Sequence, residues 1–153
     1  MGKPKILATQ YTLQNKSLEI YVSGCKGNPH CEGCHNPETW SFELGEEYSP
    51  NLFIGWKNKV ESFRGIVKNI MIFGGEPLDS DCEEMLKDLS TLGLPIWLFT
   101  HYDLDEVPDY VKEHCTYIKC GRYVKSMVTD NNIQYGIKLA TSNQMLYNKG
   151  ADY

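Results

Sequence analysis

Long apolar stretches are missing from this 153-residue sequence. No segment approaches the roughly 20 consecutive apolar residues that a transmembrane helix needs. The N-terminal MGKPKILATQYTLQ also lacks the apolar core of a secretion signal. We therefore expect a cytoplasmic protein with no membrane partner.

Clusters of positive charge are missing as well. The chain has 15 Lys and Arg against 20 Asp and Glu, which gives a formal net charge of −5. Because non-specific nucleic-acid binding depends on clustered basic residues, we expect no nucleic-acid partner. The composition, with 41% hydrophobic and 23% charged residues, is that of a packed globular protein. The length suits one domain, which we predict to span residues 1–153.

No internal repeat divides the chain, so its elements are predicted from hydrophobic periodicity. Alternating or continuous apolar runs predict strands at residues 17–22, 70–73, 96–99 and 116–119. Apolar residues at helical spacing predict helices from the Ser49 cap to Gly65, from the Ser80 cap to Gly93, and from Glu106 to His114. Residues 135–139 form a candidate edge strand. Strands that alternate with helices favour an α/β fold with a mostly parallel sheet.

Six cysteines stand out in a chain expected to be cytoplasmic, where thiols stay reduced. A disulfide framework is therefore disfavoured, and metal or redox chemistry is favoured. Cys25, Cys31 and Cys34 lie within ten residues of one another, whereas the other three, Cys82, Cys115 and Cys120, are scattered. Three thiolates in one loop can hold three corners of an iron–sulfur cluster. They can equally hold structural zinc, with His30 or His35 as the fourth ligand.

Three polar segments follow predicted strands. The cysteines follow the first strand, Gly74-Gly75-Glu76-Pro77 follows the second, and Thr100-His101 follows the third. Ligands of parallel α/β proteins gather at the C-terminal ends of strands, so we expect these segments to share one rim. A Gly-Gly pair alone is usually a turn. At such a rim it would bring backbone groups close to a ligand, and Glu76 would face an ammonium group.

Several segments together carry a family resemblance: Ile20–Cys25, CEGCHNPETW at residues 31–40, GGEP at 74–77, IWLFTHYDLDE at 96–106 and SNQ at 142–144. They resemble radical S-adenosylmethionine enzymes and, within them, the activating components of anaerobic ribonucleoside-triphosphate reductase. CEGCHNPETW is the most specific of these segments. The resemblance implies a partial, open (β/α) barrel with a mostly parallel sheet.

The resemblance also implies a chemistry. Cys25, Cys31 and Cys34 would hold a 4Fe–4S cluster whose open iron takes S-adenosylmethionine. The expected contacts of that cofactor are Gly33, Gly74, Gly75, Glu76, Pro77, Thr100 and His101. One electron, from a donor such as a flavodoxin-like protein, would cleave S-adenosylmethionine to a 5′-deoxyadenosyl radical. That radical would take hydrogen from a glycine of the partner, the glycyl-radical subunit of anaerobic ribonucleotide reductase.

The sequence departs from the family pattern at three places, one of which is residues 137–141, IKLAT, where the family has a tryptophan-arginine-glycine lead-in to the SNQ-like segment. Five residues separate Cys25 from Cys31, where the family usually has three, and Lys119-Cys120-Gly121 replaces a segment with an acidic residue before the glycine. A Gly/Asn/Pro bulge can absorb two extra residues without losing a ligand. Two alternatives stay open, an activase of another glycyl-radical enzyme and a non-catalytic zinc-bound interaction module. A radical enzyme for a small molecule is disfavoured, because the chain is short for a lid and an enclosed pocket.

Overall fold

The computed structural model describes residues 1–27, 30–34 and 37–153. Predictions that involve Asn28, Pro29, His35 or Asn36, including zinc ligation by His35, lie outside the described residues. Within the described ranges, none of the helices combines the length and the apolar character needed to cross a bilayer.

Nine strands are present in the described part of the chain: β1 (Lys5–Thr12), β2 (Ser17–Ser23), β3 (Glu46–Glu47), β4 (Asn69–Gly74), β5 (Ile96–Phe99), β6 (Tyr117–Cys120), β7 (Ile133–Gln134), β8 (Ile137–Lys138) and β9 (Met145–Asn148). Seven of them form one sheet in the order β3-β1-β2-β4-β5-β6-β9. The four central strands β2, β4, β5 and β6 are parallel to one another. The flanking strands pair in antiparallel fashion. The predicted α/β fold with a mostly parallel sheet is confirmed.

Helices connect the parallel strands. They are α1 (Pro50–Ser62), α2 (Glu83–Ser90) and α3 (Asp109–His114). α1 begins as predicted, because the Ser49 hydroxyl accepts a hydrogen bond from the Leu52 amide at 3.4 Å and Pro50 occupies the first turn. α2 begins later than predicted. Its N-cap is Cys82, and Ser80 instead ends a short 3₁₀ turn, Pro77–Asp79.

The two faces of the sheet have different environments. One face is covered by the helices, and its side chains, such as Ile20, Ile72, Leu98 and Ile118, are fully buried in the main core. Each contributes about 1.5–3 kcal/mol of burial free energy. The opposite face, which we call the inner face, carries aromatic side chains and is partly covered by the segment around Leu139 and Leu146. This face contains the candidate site.

Of the edge strand predicted at residues 135–139, only Ile137–Lys138 is a strand (β8), and it does not join the main sheet. Tyr135 and Gly136 have φ angles of 49° and 78°, so they form the turn of a separate two-stranded hairpin, β7–β8. Two consecutive positive φ angles are typical of tight hairpin turns. The two edges of the main sheet are β3 and β9, and β9 pairs with β6. Because β3 and β9 do not pair with each other in the described part of the chain, the sheet is open, and its identity as a radical S-adenosylmethionine barrel stays a prediction.

Candidate iron–sulfur and cofactor site

A cavity of about 570 Å³ opens on the inner face of the sheet. The structure brings most of the predicted site residues to its wall: Cys25, Cys31, Cys34, Gly74, Gly75, Thr100 and His101. The three predicted rim segments therefore meet at one place. Among the described residues of the predicted site, Gly33, Glu76 and Pro77 lie outside the cavity wall.

The first cysteine is held by backbone contacts just after β2. The Gly24 amide donates to Thr39 O at 2.6 Å, and the Cys25 amide donates to Trp40 O at 3.0 Å. Cys25 is buried, and burial raises the pKa of its thiol to about 11. A buried thiol of this kind is deprotonated when a metal binds it.

The other two cysteines also line the cavity. Cys31 and Cys34 are half-buried, and a tight turn joins them, in which the Cys34 amide donates to Cys31 O at 3.2 Å. All three thiols are free. Three free thiols beside open space fit a cluster with three protein ligands and one exposed corner. His30 Nε2 lies 2.7 Å from the carbonyl oxygen of Cys25, which leaves Nδ1 as the ring nitrogen that a zinc ion would use, so this contact alone does not separate zinc from a cluster.

The glycine pair lies where the end of β4 approaches the end of β2 closely. A Cβ atom on Gly74 would lie 2.2 Å from Val22 O, and one on Gly75 would lie 2.7 Å from Gly24 O. The Gly75 amide also donates to Val22 O at 3.0 Å. A side chain at either glycine would push β4 away from β2, the strand that leads into Cys25. The pair therefore positions the cysteine loop as well as lining the cavity.

The Glu76 carboxylate faces protein donors. Its Oε2 accepts hydrogen bonds from Thr100 Oγ1 at 2.7 Å and the Leu78 amide at 3.0 Å, and its Oε1 accepts one from the His101 amide at 2.7 Å. The residue is 1% exposed, and burial raises its pKa to about 7 although these hydrogen bonds lower it. Glu76 thus connects the end of β4 to the end of β5. Its predicted contact with an ammonium group stays a prediction.

Thr100 and His101 form the β5 part of the rim. His101 Nδ1 lies 3.2 Å from Glu76 Oε1, and burial is the main cause that lowers the pKa of the imidazole. When Glu76 is ionised, this contact places the ring proton on Nδ1 and leaves Nε2 as an acceptor. Pro77 is buried at the start of its 3₁₀ turn, and Gly33 is exposed within the Cys31–Cys34 turn.

Lys119 is a cavity residue that the sequence analysis did not assign to the site. It is half-buried, and its Nζ donates to Thr100 O at 3.3 Å and Gly121 O at 3.2 Å. Burial lowers the pKa of its ammonium group. A signal was present in the sequence, because this lysine interrupts the otherwise uncharged strand Tyr117–Cys120.

A row of aromatic rings forms the floor of the cavity. Tyr21 on β2 stacks on Phe73 on β4 with ring centroids 5.4 Å apart, and Phe73 stacks on Phe99 on β5 at 4.3 Å. All three rings line the cavity. Along each strand these residues alternate with residues of the main core. Pairing the three predicted strands in register would therefore have placed the three rings next to one another on one face of the sheet.

Much of the remaining wall comes from the chain beyond β6. Gln144 Oε1 accepts hydrogen bonds from the amides of Ala140 at 3.1 Å and Thr141 at 3.2 Å, while its Nε2 donates to Gly121 O at 3.3 Å. These contacts hold residues 136–140 against the cavity. The SNQ segment, noticed in the sequence only for its resemblance, therefore has a structural role.

Comparison with known proteins agrees with the cysteine chemistry. A family model described as "4Fe-4S single cluster domain" matches residues 16–146. That range includes all three loop cysteines and every residue of the cavity wall except Gln14 and Asn15. It favours the iron–sulfur hypothesis over zinc.

Curated relatives carry one name, "Anaerobic ribonucleoside-triphosphate reductase-activating protein". The one from Escherichia coli (strain K12) is 30% identical over 94 residues, which cover 58% of this chain and 60% of the relative. The one from Haemophilus influenzae is 24% identical over 137 residues, 84% of each chain. The one from Vibrio cholerae is 28% identical over 105 residues, 65% of this chain and 66% of the relative. The resemblance found in the sequence is confirmed, although the match spans only about 60% of the length of the Escherichia coli relative.

Proposed function

The chain belongs to the 4Fe-4S single cluster domain family, and we propose that it is a radical S-adenosylmethionine activase of a glycyl-radical enzyme. The observation that carries this proposal is the meeting of three free cysteines and the Gly74-Gly75 pair in one cavity. The names of the relatives favour anaerobic ribonucleotide reductase as the partner over another glycyl-radical enzyme.

Cys25, Cys31 and Cys34 would hold a 4Fe–4S cluster, with one iron left for the amino and carboxylate groups of S-adenosylmethionine. With a donor such as a flavodoxin-like protein, a cluster bound there would supply the electron for reductive cleavage of S-adenosylmethionine and, through it, hydrogen abstraction from a glycine of the reductase. The protein's contribution is binding, orientation and exclusion of water.

Other residues of the cavity would orient the cofactor. Lys119 offers an ammonium group for the carboxylate of the methionine end, because charge-assisted hydrogen bonds are the stronger kind. Gly74 and Gly75 would present backbone groups to the same end. The aromatic floor formed by Tyr21, Phe73 and Phe99 offers flat apolar surface for the nucleoside.

Four residues near this end of the cavity would act together on the cofactor: Glu76, Pro77, Thr100 and His101. The Glu76 carboxylate fixes the Thr100 hydroxyl and the His101 backbone, so its effect on the cofactor would reach the cavity through them. Gly33, in the turn between two cysteines, would set their separation. In this proposal the inner face is the interior of the family's partial barrel, and a loop of the partner enters through its open side.

Anaerobic reconstitution tests the proposal. We expect brown protein that contains iron and sulfide, and whose reduced-cluster electron paramagnetic resonance spectrum changes when S-adenosylmethionine is added. With reductant we expect 5′-deoxyadenosine, and with the reductase subunit a glycyl radical. Colourless, zinc-containing protein that is indifferent to S-adenosylmethionine would refute the proposal and leave a zinc-bound interaction module.

Two cysteine variants form a matched pair for this experiment. Cys25→Ala should lose the intact cluster and its activity, because one iron then lacks its protein ligand. Cys82→Ala should keep both, because Cys82 is fully buried in the main core and its thiol bonds to Pro77 O at 3.1 Å. Loss of the cluster in Cys82→Ala, with retention in Cys25→Ala, would show that the ligand set is wrong.

A further inference from the structure

The segment from Cys25 to Cys31 is long, and its two ends carry two of the proposed ligands. Such a segment has many conformations, and closing it costs conformational entropy. A site with fixed sulfur positions therefore needs contacts that hold the two ends together. The structure contains such contacts, and they are made by a residue that is not a cysteine.

That residue is His30, which precedes Cys31 directly in the chain. Its Nε2 lies 2.7 Å from the carbonyl oxygen of Cys25, and because a carbonyl can only accept, Nε2 is the donor. The imidazole also lies flat on the indole of Trp40, with ring centroids 3.9 Å apart and an interplanar angle of 5°. His30 thus connects one end of the segment to the other.

Trp40 is itself fixed to the same cysteine. Its carbonyl oxygen accepts the hydrogen bond from the Cys25 amide at 3.0 Å, and its own amide donates to Pro37 O at 3.2 Å. Both backbone polar groups of Cys25 are therefore used, one by the Trp40 backbone and one by the His30 side chain. The ring stack closes this circuit of three residues.

Two further contacts shape the segment between these ends. The amide of Lys26 donates to Asp79 Oδ2 at 2.7 Å, and the Tyr102 hydroxyl bonds to the other oxygen of Asp79. Gly27 has a φ of +74°, and a Cβ atom there would lie 2.6 Å from the His30 ring. The chain can fold back onto His30 only because residue 27 has no side chain.

We propose that His30 is a positioning residue of the cluster site, which sets the separation of Cys25 and Cys31 before the cluster binds. This proposal rests on the proposed function, because it assumes that these cysteines hold the cluster. Groups that orient metal ligands typically change metal affinity by about 10- to 100-fold when they are mutated. Both the hydrogen bond and the ring stack of His30 contribute to this positioning.

The test compares the loss of iron to ethylenediaminetetraacetate from reconstituted variants. His30→Ala should lose iron about 10- to 100-fold faster than wild type and should alter the reduced-cluster electron paramagnetic resonance spectrum. His30→Phe keeps a flat ring without the donor, and His30→Gln keeps a donor without the ring. Both should fall between His30→Ala and wild type. Gly27→Ala, which disturbs the same contact, should resemble His30→Ala.

Lys26→Ala is the matched control, because it shortens an exposed side chain of the same segment and keeps the amide that bonds to Asp79. Circular dichroism of the apoproteins checks that each variant folds. If His30→Ala does not fold, the comparison of His30→Phe with wild type decides the test. Wild-type iron loss and spectrum in His30→Ala, or in His30→Phe and His30→Gln together, would overturn the proposal. Failure of the wild type to take up a cluster would instead overturn the proposed function.

Discussion

Lys119 differs from the other charged residues of this protein in its surroundings. Its ammonium group contacts two carbonyl oxygens, and among the described residues no carboxylate forms an ion pair with it. A half-buried cation in this setting retains capacity for an anionic ligand. Because the residue lines the cavity, that ligand would be the carboxylate of S-adenosylmethionine in the proposed function.

Replacing Lys119 by methionine tests this role. Lys119→Met keeps the length of the side chain and removes the charge, so we expect the affinity for S-adenosylmethionine to fall about 10- to 100-fold, the equivalent of roughly 1.5–3 kcal/mol. Isothermal titration calorimetry of the reconstituted variant measures the affinity. Lys57→Met, on the exposed side of α1, is the control. Equal affinities in the two variants would remove Lys119 from the site.

Glu76 gives a prediction about pH. Its pKa is about 7 in the folded chain against an ordinary 4.5, so the folded chain binds this proton more tightly than the unfolded chain does. The resulting stabilisation is complete below about pH 4.5 and is lost as the pH rises through about 7, by at most about 3–4 kcal/mol. Glu76→Gln cannot titrate, so its free energy of unfolding should rise relative to wild type across that window.

Urea unfolding of the apoproteins at about pH 5 and about pH 8 measures this difference. Glu61→Gln, which replaces an exposed carboxylate on α1, is the control for general charge effects. A constant difference between Glu76→Gln and wild type at the two pH values would mean that Glu76 is ionised throughout.

Which site residues could be predicted depended on how far apart they lie in the sequence. The three cysteines are close neighbours, so their spacing alone indicated a common site. Lys119 and Phe99 reach the cavity only through the pairing of β4, β5 and β6. The role of Glu76 depends on which way its carboxylate turns, and residue type alone does not set that direction.

At the scale of elements, the close approach of β4 to β2 is the feature that shapes the site. Gly74 lies opposite Val22 in the parallel register, and its missing side chain leaves room for the Val22 carbonyl. The same approach allows the Glu76 amide to donate to Gly24 O at 2.7 Å, next to the first cysteine. A change in strand separation would therefore be transmitted directly to the cysteine loop.

Two glycine-to-alanine variants separate this effect from general glycine effects. Gly74→Ala should lower the free energy of unfolding by about 1–3 kcal/mol, because its Cβ would overlap backbone atoms of β2. Gly55→Ala, on α1 with no atom within 4 Å of its Cβ, should raise it by about 0.5–1 kcal/mol. Chemical denaturation of both apoproteins checks the prediction. A stabilising Gly74→Ala would contradict the close approach.

Elements with strong apolar patterns were predicted, and elements without them were missed. β4 and β5 are apolar runs buried in the core, so the sequence identified them. β1 is mostly exposed and mixes polar with apolar residues, so neither the hydrophobic period of a strand nor that of a helix is evident in it. The hairpin β7–β8 depends on left-handed backbone at Tyr135, which is unusual for a tyrosine and invisible to a periodicity search.

At the scale of the whole molecule, the sheet separates two regions with different roles. The helices and the main core lie on one side, and the cavity with its cover from the C-terminal part of the chain lies on the other. The cover is held by polar side chains such as Gln144 and by a smaller apolar cluster around Leu139 and Leu146. Segments held in this way open more readily than a packed core.

Amide hydrogen exchange should report this division. When S-adenosylmethionine is added to the reconstituted protein, we expect exchange to slow at residues 136–140 and at Lys119, which line the cavity, and to stay unchanged in α1. The helix packs on the opposite face of the sheet and cannot touch a ligand in the cavity. Protection confined to α1–α3 would place the ligand elsewhere.

The half-exposed position of Cys31 and Cys34 has a consequence in air. Thiolates and their clusters are attacked by oxidants to the extent that they are accessible and ionised. An opening that would admit a partner's loop is far wider than a molecule of dioxygen, so the described part of the chain would not exclude the gas from these two cysteines. We expect a cluster at this site to stay intact only where oxygen is scarce. Its stability would then depend on the environment of the cell as well as on the protein.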